Sequence, residues 1–192
     1  MHYLVYHLNR AQAELLQEKD LDAIEQKAYA RRGSRYLLMR SLLKHELARL
    51  TGKDAATIRF TYGMHGKPAY TPQPFNMSHS GDVLCLAFHH SDIGVDIERI
   101  GKREHMAALA RRIMCPPQFA AWQQRQSNAE EFYACWCTAE ALAKQCGGSV
   151  WQAQQRPFLW HSSGIEPLYE SAPRVELFTP TEGYQGAVAY HP

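Results

Sequence analysis

The sequence contains no apolar run approaching the length of a membrane-spanning helix, and its opening, MHYLVYHLNR, is too short and too interrupted by His, Asn and Arg for a secretory signal. A cytoplasmic protein with no membrane contact is the expectation. Net charge is also scarce. Lys and Arg number 21 against 19 Asp and Glu, a formal +2, which argues against a protein that coats nucleic acid. Five cysteines is an odd count, and Cys85, Cys115, Cys135, Cys137 and Cys146 show neither zinc-site nor disulfide spacing. They read as reduced, mostly buried thiols. No low-complexity linker divides the chain. What is present is 192 residues, 45% hydrophobic and 21% charged, enough for a core formed by one domain or by two small subdomains packed together.

The order of periodic segments predicts an α+β fold. Residues 20–32 and 34–50 read as two helices, the second carrying Leu37, Leu38, Leu42, Leu43, Leu47 and Leu50 near helical spacing and stopped by Gly52. Ile58–Tyr62 alternates like a strand and leads into the turn GMHGKPAY, which carries Lys67. Val83–His90 and Ile93–Glu98 read as strands joined by a turn at Ser91 and Asp92. Three helices follow: EHMAALARRIM, PPQFAAWQQRQ with its prolines in the first turn, and NAEEFYACWCTAEALAKQ, opened by a Ser127–Glu130 capping box and stopped by Gly147 and Gly148. RVELFTP and QGAVAYH close the chain as strands. Two halves result, 1–91 and 92–192, each with helices against a small sheet.

Strand alternation in IGVDIE puts Asp96 and Glu98 on one face. Like charges so close are tolerated if water solvates them or if a cation sits between them. On the third helix Trp136, Glu140 and Lys144 fall at i, i+4 and i+8, which fits an ordinary surface ion pair over a core tryptophan as well as it fits a site. The polar stretch Ser78-His79-Ser80-Gly81 can offer hydroxyls, imidazole and amides to an anion. A serine hydrolase is disfavoured there, because the G-x-S-x-G elbow is missing.

Taken in order, GKPAY, FNMSHSG, GVDIE and FYACWCTAEALAK closely resemble the motifs of the Sfp-type 4'-phosphopantetheinyl transferases, AcpT-like members among them, and RYLLMRSLL resembles that family's Arg-bearing helix. Matched positions run from about Arg35 to Gly148. The resemblance implies a pseudo-twofold pair of α+β subdomains with the active site in the cleft between them. It further implies transfer of the phosphopantetheine arm of coenzyme A to a serine of an apo acyl or peptidyl carrier protein, with release of 3',5'-ADP. Carried over by position, Asp96, Glu98 and Glu140 would ligate Mg²⁺, with Mn²⁺ the alternative. Lys144 and His79 would hold the pyrophosphate, Ser78 and Lys67 would line the nucleotide, and Arg35 and Arg40 would lie near the 3'-phosphate. Glu140, or a water held by the ion, would take the serine proton. The carrier would dock through an acidic face, which Arg103, Arg111, Arg112 and Arg125 could meet, and two fused halves make a monomer sufficient.

The chain departs from the family pattern at Ala139, where a Lys usually precedes the helix glutamate. That departure keeps open a catalytically weak or inactive homologue that still binds coenzyme A or carrier. A metal-dependent phosphodiesterase built on the same residues is a third class, disfavoured by the near-neutral charge.

Overall fold

Asp22 opens the longest helix. Its carboxylate accepts the backbone N–H of Ile24 and Glu25 at 2.8 and 2.9 Å, and the Glu25 side chain returns a bond to the Asp22 N–H at 3.0 Å, a reciprocal cap that satisfies otherwise orphaned donors. The structure, a computed structural model, describes residues 1–11, 14–63 and 66–192. Helix α1 spans Ala23–Thr51 and breaks at Gly33, whose φ of 67° and ψ of −159° suit only a residue without Cβ, so the two expected helices meet at that glycine. Gly52 ends α1 in the left-handed conformation, with φ 68°, as the sequence predicts.

Two three-stranded antiparallel sheets make up the centre. The first holds β1 (His2–His7), β4 (Phe75–Ser80) and β5 (Val83–Phe88) in the order β1-β5-β4; the second holds β6 (Ile93–Arg99), β9 (Arg174–Phe178) and β10 (Tyr184–Tyr190) in the order β6-β10-β9. Two small ribbons flank them: β2 (Thr61–Tyr62) with β3 (Pro68–Ala69), and β7 (Phe158–His161) with β8 (Gly164–Pro167). Helices α2 (Met106–Ile113), α3 (Pro116–Gln124) and α4 (Ala129–Gln145) lie between β6 and β7 in the chain.

Side-chain alternation stacks these elements. Leu84, Leu86 and Phe88 of β5 pack on Met39, Leu42, Leu43 and Leu47 of α1. The other face of β5, Val83, Cys85 and Ala87, meets Ile93, Val95 and Ile97 of β6 with Val188 and Tyr190 of β10. Beyond them Ala187 and Ala189 of β10 face Cys137, Ala141 and Leu142 of α4. The order is helix, sheet, sheet, helix. Each sheet has two buried faces, which is why β5 reads as an unbroken apolar run.

Three readings change. The expected strand at Ile58–Tyr62 shrinks to Thr61–Tyr62, because Ala55–Thr57 is a turn of 3₁₀ helix and Ile58 and Phe60 are committed to the core under α1. Met64 and His65 of the expected GMHGKPAY turn lie outside the described residues. Strand β5 ends at Phe88 rather than His90, and the link through Ser91 and Asp92 carries the chain from one sheet to the other, each strand taking its ladder partners in its own. Helix α4 is capped by Asn128, whose side chain accepts from the Glu131 N–H at 3.0 Å; Ser127 sits at φ 55°, one residue too early for the expected capping box. Strands β1 and β4 and the β7–β8 ribbon were not foreseen.

Candidate active site

Strand β6 pairs with β10 along one edge, so the N–H groups of Val95, Ile97 and Arg99 on its other edge need partners. Side chains of β4 supply them: Asn76 Oδ1 accepts from Val95 at 3.1 Å, Ser78 Oγ from Ile97 at 3.3 Å and Ser80 Oγ from Arg99 at 3.1 Å. The serine hydroxyls then donate onward, Ser78 to Asp96 Oδ1 and Ser80 to Glu98 Oε2, each at 2.8 Å. The two-residue period of N-x-S-x-S therefore matches that of D-x-E, and the two motifs form one seam between the sheets.

Lys144 reaches this seam from α4. Its ammonium donates to Asp96 Oδ1 at 2.6 Å, and to Ser78 Oγ and the Val95 carbonyl at 3.3 Å each. Burial opposes its charge, but the Asp96 carboxylate and its hydrogen bond, aided by Glu140, outweigh that and hold Lys144 above the usual lysine range. Asp96 is buried, and its Oδ2 has no hydrogen-bond partner among the described residues. Burial is also the first influence on Glu140; Lys144 pulls the other way, yet with Asp96 and Glu98 adding repulsion the carboxyl stands above its ordinary value. Glycine at 94 is what lets α4 come so close: a Cβ there would stand 1.9 Å from the Ala141 carbonyl oxygen.

A cavity of about 370 Å³ opens beside the seam, with Tyr36, Arg40, Met77, Ser78, His79 and Lys144 in its wall. A smaller hollow of about 260 Å³ shares Met77 and Lys144 and adds Lys67, Asn76, Gly147 and Gly148. Arg40 is buried between the rings of Tyr36 and Phe60, 5.2 and 5.3 Å from their centroids, and donates to the Tyr36 hydroxyl at 2.9 Å. Lys67 turns its ammonium onto the carbonyls of Ile93, at 3.3 Å, and Lys144; burial pushes its pKa down. His79 is exposed at the cavity mouth.

Of the residues expected from sequence, Asp96, Glu98, Glu140, Lys144, Ser78, His79, Arg40 and Lys67 therefore gather around the seam and its cavities. Arg35 does not. It pairs with Asp82 at 2.8 Å, bonds the Gly81 carbonyl and lines a separate cavity of about 730 Å³ with Leu8, Ser34 and Leu38. Asn76 and Ser80 were missed as structural partners, although the alternation of FNMSHS puts them in phase with Ser78. Arg103 was read as a docking residue, yet it lies over Trp136, 4.3 Å from the ring centroid, and 3.9 Å from Glu98.

Whether the carboxylates suit a divalent cation is a matter of donor chemistry. Oxygen donors are what Mg²⁺ prefers, and Asp96 Oδ2, which makes no hydrogen bond among the described residues, is one such oxygen. Among the described residues no three His, Cys, Asp or Glu side chains already stand close enough to enclose an ion. The set thus fits a cation that brings its own waters and shares substrate oxygens, rather than a closed protein cage.

Residues 92–189, half of the chain, match the family model of the 4'-phosphopantetheinyl transferase superfamily. The 4'-phosphopantetheinyl transferase AcpT of Escherichia coli O157:H7 is 34% identical over 145 residues, covering 72% of this chain and 71% of that protein. AcpT of Salmonella typhi is 37% identical over 97 residues, 47% of this chain and 50% of the relative. A 4'-phosphopantetheinyl transferase of Bacillus subtilis is 30% identical over 118 residues, 59% and 52% of the two chains. With a family match over half its length and a relative that aligns across nearly three quarters of it, the chain belongs to the 4'-phosphopantetheinyl transferase superfamily.

Proposed function

We propose that this transferase moves phosphopantetheine from coenzyme A to a serine of an apo acyl or peptidyl carrier protein at the Asp96–Lys144 seam, with a divalent cation, Mg²⁺ or Mn²⁺. The observation that carries the site assignment is the convergence of Ser78, Asp96 and Lys144 on one knot of hydrogen bonds at the cavity wall, with one Asp96 oxygen left unpartnered.

Asp96, Glu98 and Glu140 would hold the cation. When bound, such an ion supplies charge neutralisation for the phosphate oxygens. Lys144 and His79 stand in the cavity wall and would meet the diphosphate, and Arg40, held between two rings, would offer its guanidinium in the same wall. Lys67, in the wall of the smaller hollow, would line the nucleotide. In the reaction the carrier serine oxygen forms a bond to the β-phosphorus, the bond from that phosphorus to the bridging oxygen of 3',5'-ADP breaks, and the hydroxyl proton goes to a base. Glu140, or a water held by the cation, would be that base. Lys144, kept charged by Asp96, stabilises the negative charge passing to the leaving phosphate. Most of the rate comes from positioning and electrostatics.

The carrier presents an acidic face, met by Arg111 and Arg112 in the last turn of α2. Arg125 is not free for this, since it bonds Glu131 at 2.8 Å. A monomer working in the cytoplasm suffices, and no helix of the described residues is long and apolar enough to cross a membrane.

Intact-mass spectrometry of apo carrier proteins incubated with the protein, coenzyme A and Mg²⁺ tests the reading. The expected result is a gain of one phosphopantetheine that disappears on chelation and with Asp96→Ala. Coenzyme A binding without transfer to any carrier would favour the inactive, binding-only homologue instead.

A further inference from the structure

Residues 137–143 of α4, between Trp136 and Lys144, include no Lys, Arg or His. On that side of the seam three carboxylates, Asp96, Glu98 and Glu140, therefore meet one ammonium, that of Lys144: the two negative charges in excess are what the divalent cation of the proposed site would offset, which leaves no surplus of positive charge for an incoming diphosphate. Lys67 does not redress this, because its ammonium is spent on two carbonyls.

A guanidinium arrives from outside the helix. Arg103 lies in the segment between β6 and α2, whose first two residues are tied down: the Ile100 N–H donates to the Gly183 carbonyl at 2.8 Å, and the Tyr133 hydroxyl donates to the Gly101 carbonyl at 3.2 Å. The guanidinium carbon rests 4.3 Å from the centre of the Trp136 ring, and Nη1 stands 3.9 Å from Glu98 Oε1. At that distance the contact is an ion pair and not a hydrogen bond, so the N–H groups directed at Glu98 are not consumed. An arginine laid on an indole face keeps its charge and its donor edge while losing much of its freedom to wander. Its side chain is 33% exposed, so one side is open to a ligand. Arg103 also acts electrostatically on Glu140, which places its charge within the field of the same carboxylate group.

We propose that Arg103 is a substrate-binding residue of this transferase, contacting the diphosphate of coenzyme A, and that Trp136 is the positioning residue that holds it there. Glu98 keeps the guanidinium at the site in the absence of substrate, and phosphate oxygens, better bidentate acceptors, take it up when coenzyme A binds. This rests on the transferase reading above.

The test is calorimetric titration of coenzyme A with Mg²⁺, in the absence of carrier, into wild type, Arg103→Met and Arg103→Lys, with steady-state kinetics and melting temperatures on the same preparations. Methionine keeps an apolar stem against Trp136 and removes the charge. We expect Arg103→Met to bind coenzyme A roughly tenfold or more weakly, the size of one lost charged hydrogen bond, with an unchanged melting temperature and a partial return in Arg103→Lys. Three results would overturn the proposal: Arg103→Met binding coenzyme A as tightly as wild type, a defect confined to the KM for carrier, or equal losses in both variants accompanied by a lowered melting temperature. Wild type that transfers while Arg103→Met matches it sinks this proposal alone, whereas wild type that neither binds coenzyme A nor transfers sinks the transferase reading with it.

Discussion

The Ser78 hydroxyl accepts from the Ile97 N–H and from Lys144 and donates to Asp96, which uses its one proton and both lone pairs. Replacing it with alanine strands a backbone N–H and removes one donor from a buried carboxylate that already has an unpartnered oxygen. Ser78→Ala should therefore cost about 1–3 kcal/mol in chemical denaturation, with a drop in transfer activity, while Ser80→Ala, whose partners Glu98 and Arg99 lie nearer solvent, should cost less. At this scale much was legible in the sequence. Strand alternation alone puts Asp96 beside Glu98, and helical spacing aligns Trp136, Glu140 and Lys144. What periodicity does not contain is that Lys144 lands on Asp96, 48 residues away, or that Arg103 folds back onto Trp136. Those meetings depend on how the elements dock, and no local pattern encodes them.

Between elements, the tightest approach is that of α4 to β6. A Cβ at Gly94 would stand 1.9 Å from the Ala141 carbonyl oxygen and 2.5 Å from the Gln145 nitrogen, both of them backbone atoms that cannot swing aside. Gly94→Ala should push the helix off the strand, destabilising the protein by roughly 3 kcal/mol or more and separating Lys144 from Asp96; an unfolding free energy from denaturant titration within about 0.5 kcal/mol of wild type, on the scale expected of a harmless surface change, would contradict this close contact. Sequence reading succeeded where an element declares its own ends, as with α1 at Gly52 and the prolines of α3. It failed at β1, at β4, read only as a polar stretch, and at the β7–β8 ribbon, because short strands such as FLWH and GIEP acquire their structure from a partner rather than from alternation. It erred by one residue at the start of α4, where the positive φ of Ser127 shifts the cap to Asn128.

For the molecule as a whole, acid stability offers a test of how its parts are tied together. Asp22 caps α1 and also accepts from the Tyr62 hydroxyl at 2.9 Å, linking that helix to β2. Burial raises its pKa, but the hydrogen bonds from Glu25, Tyr62 and Ile24 together bring it below the usual 3.8. A carboxyl whose folded value is depressed adds stability that is present above its unfolded value and is lost as pH falls through the folded one. The stability of wild type against denaturation should accordingly fall as pH drops below 3.8 more steeply than that of Asp22→Asn, which keeps the cap but has no charge to lose. Parallel slopes for the two proteins would remove Asp22 from the acid response. The bonds that join β4 to β6 carry a different implication. The two sheets share no backbone ladder there, and the side chains that hold them together are the same ones that fix Asp96, Glu98 and Lys144. A ligand seated on those groups therefore works as mortar as well as cargo: it binds only where both halves are in place, and for as long as it stays it resists their coming apart.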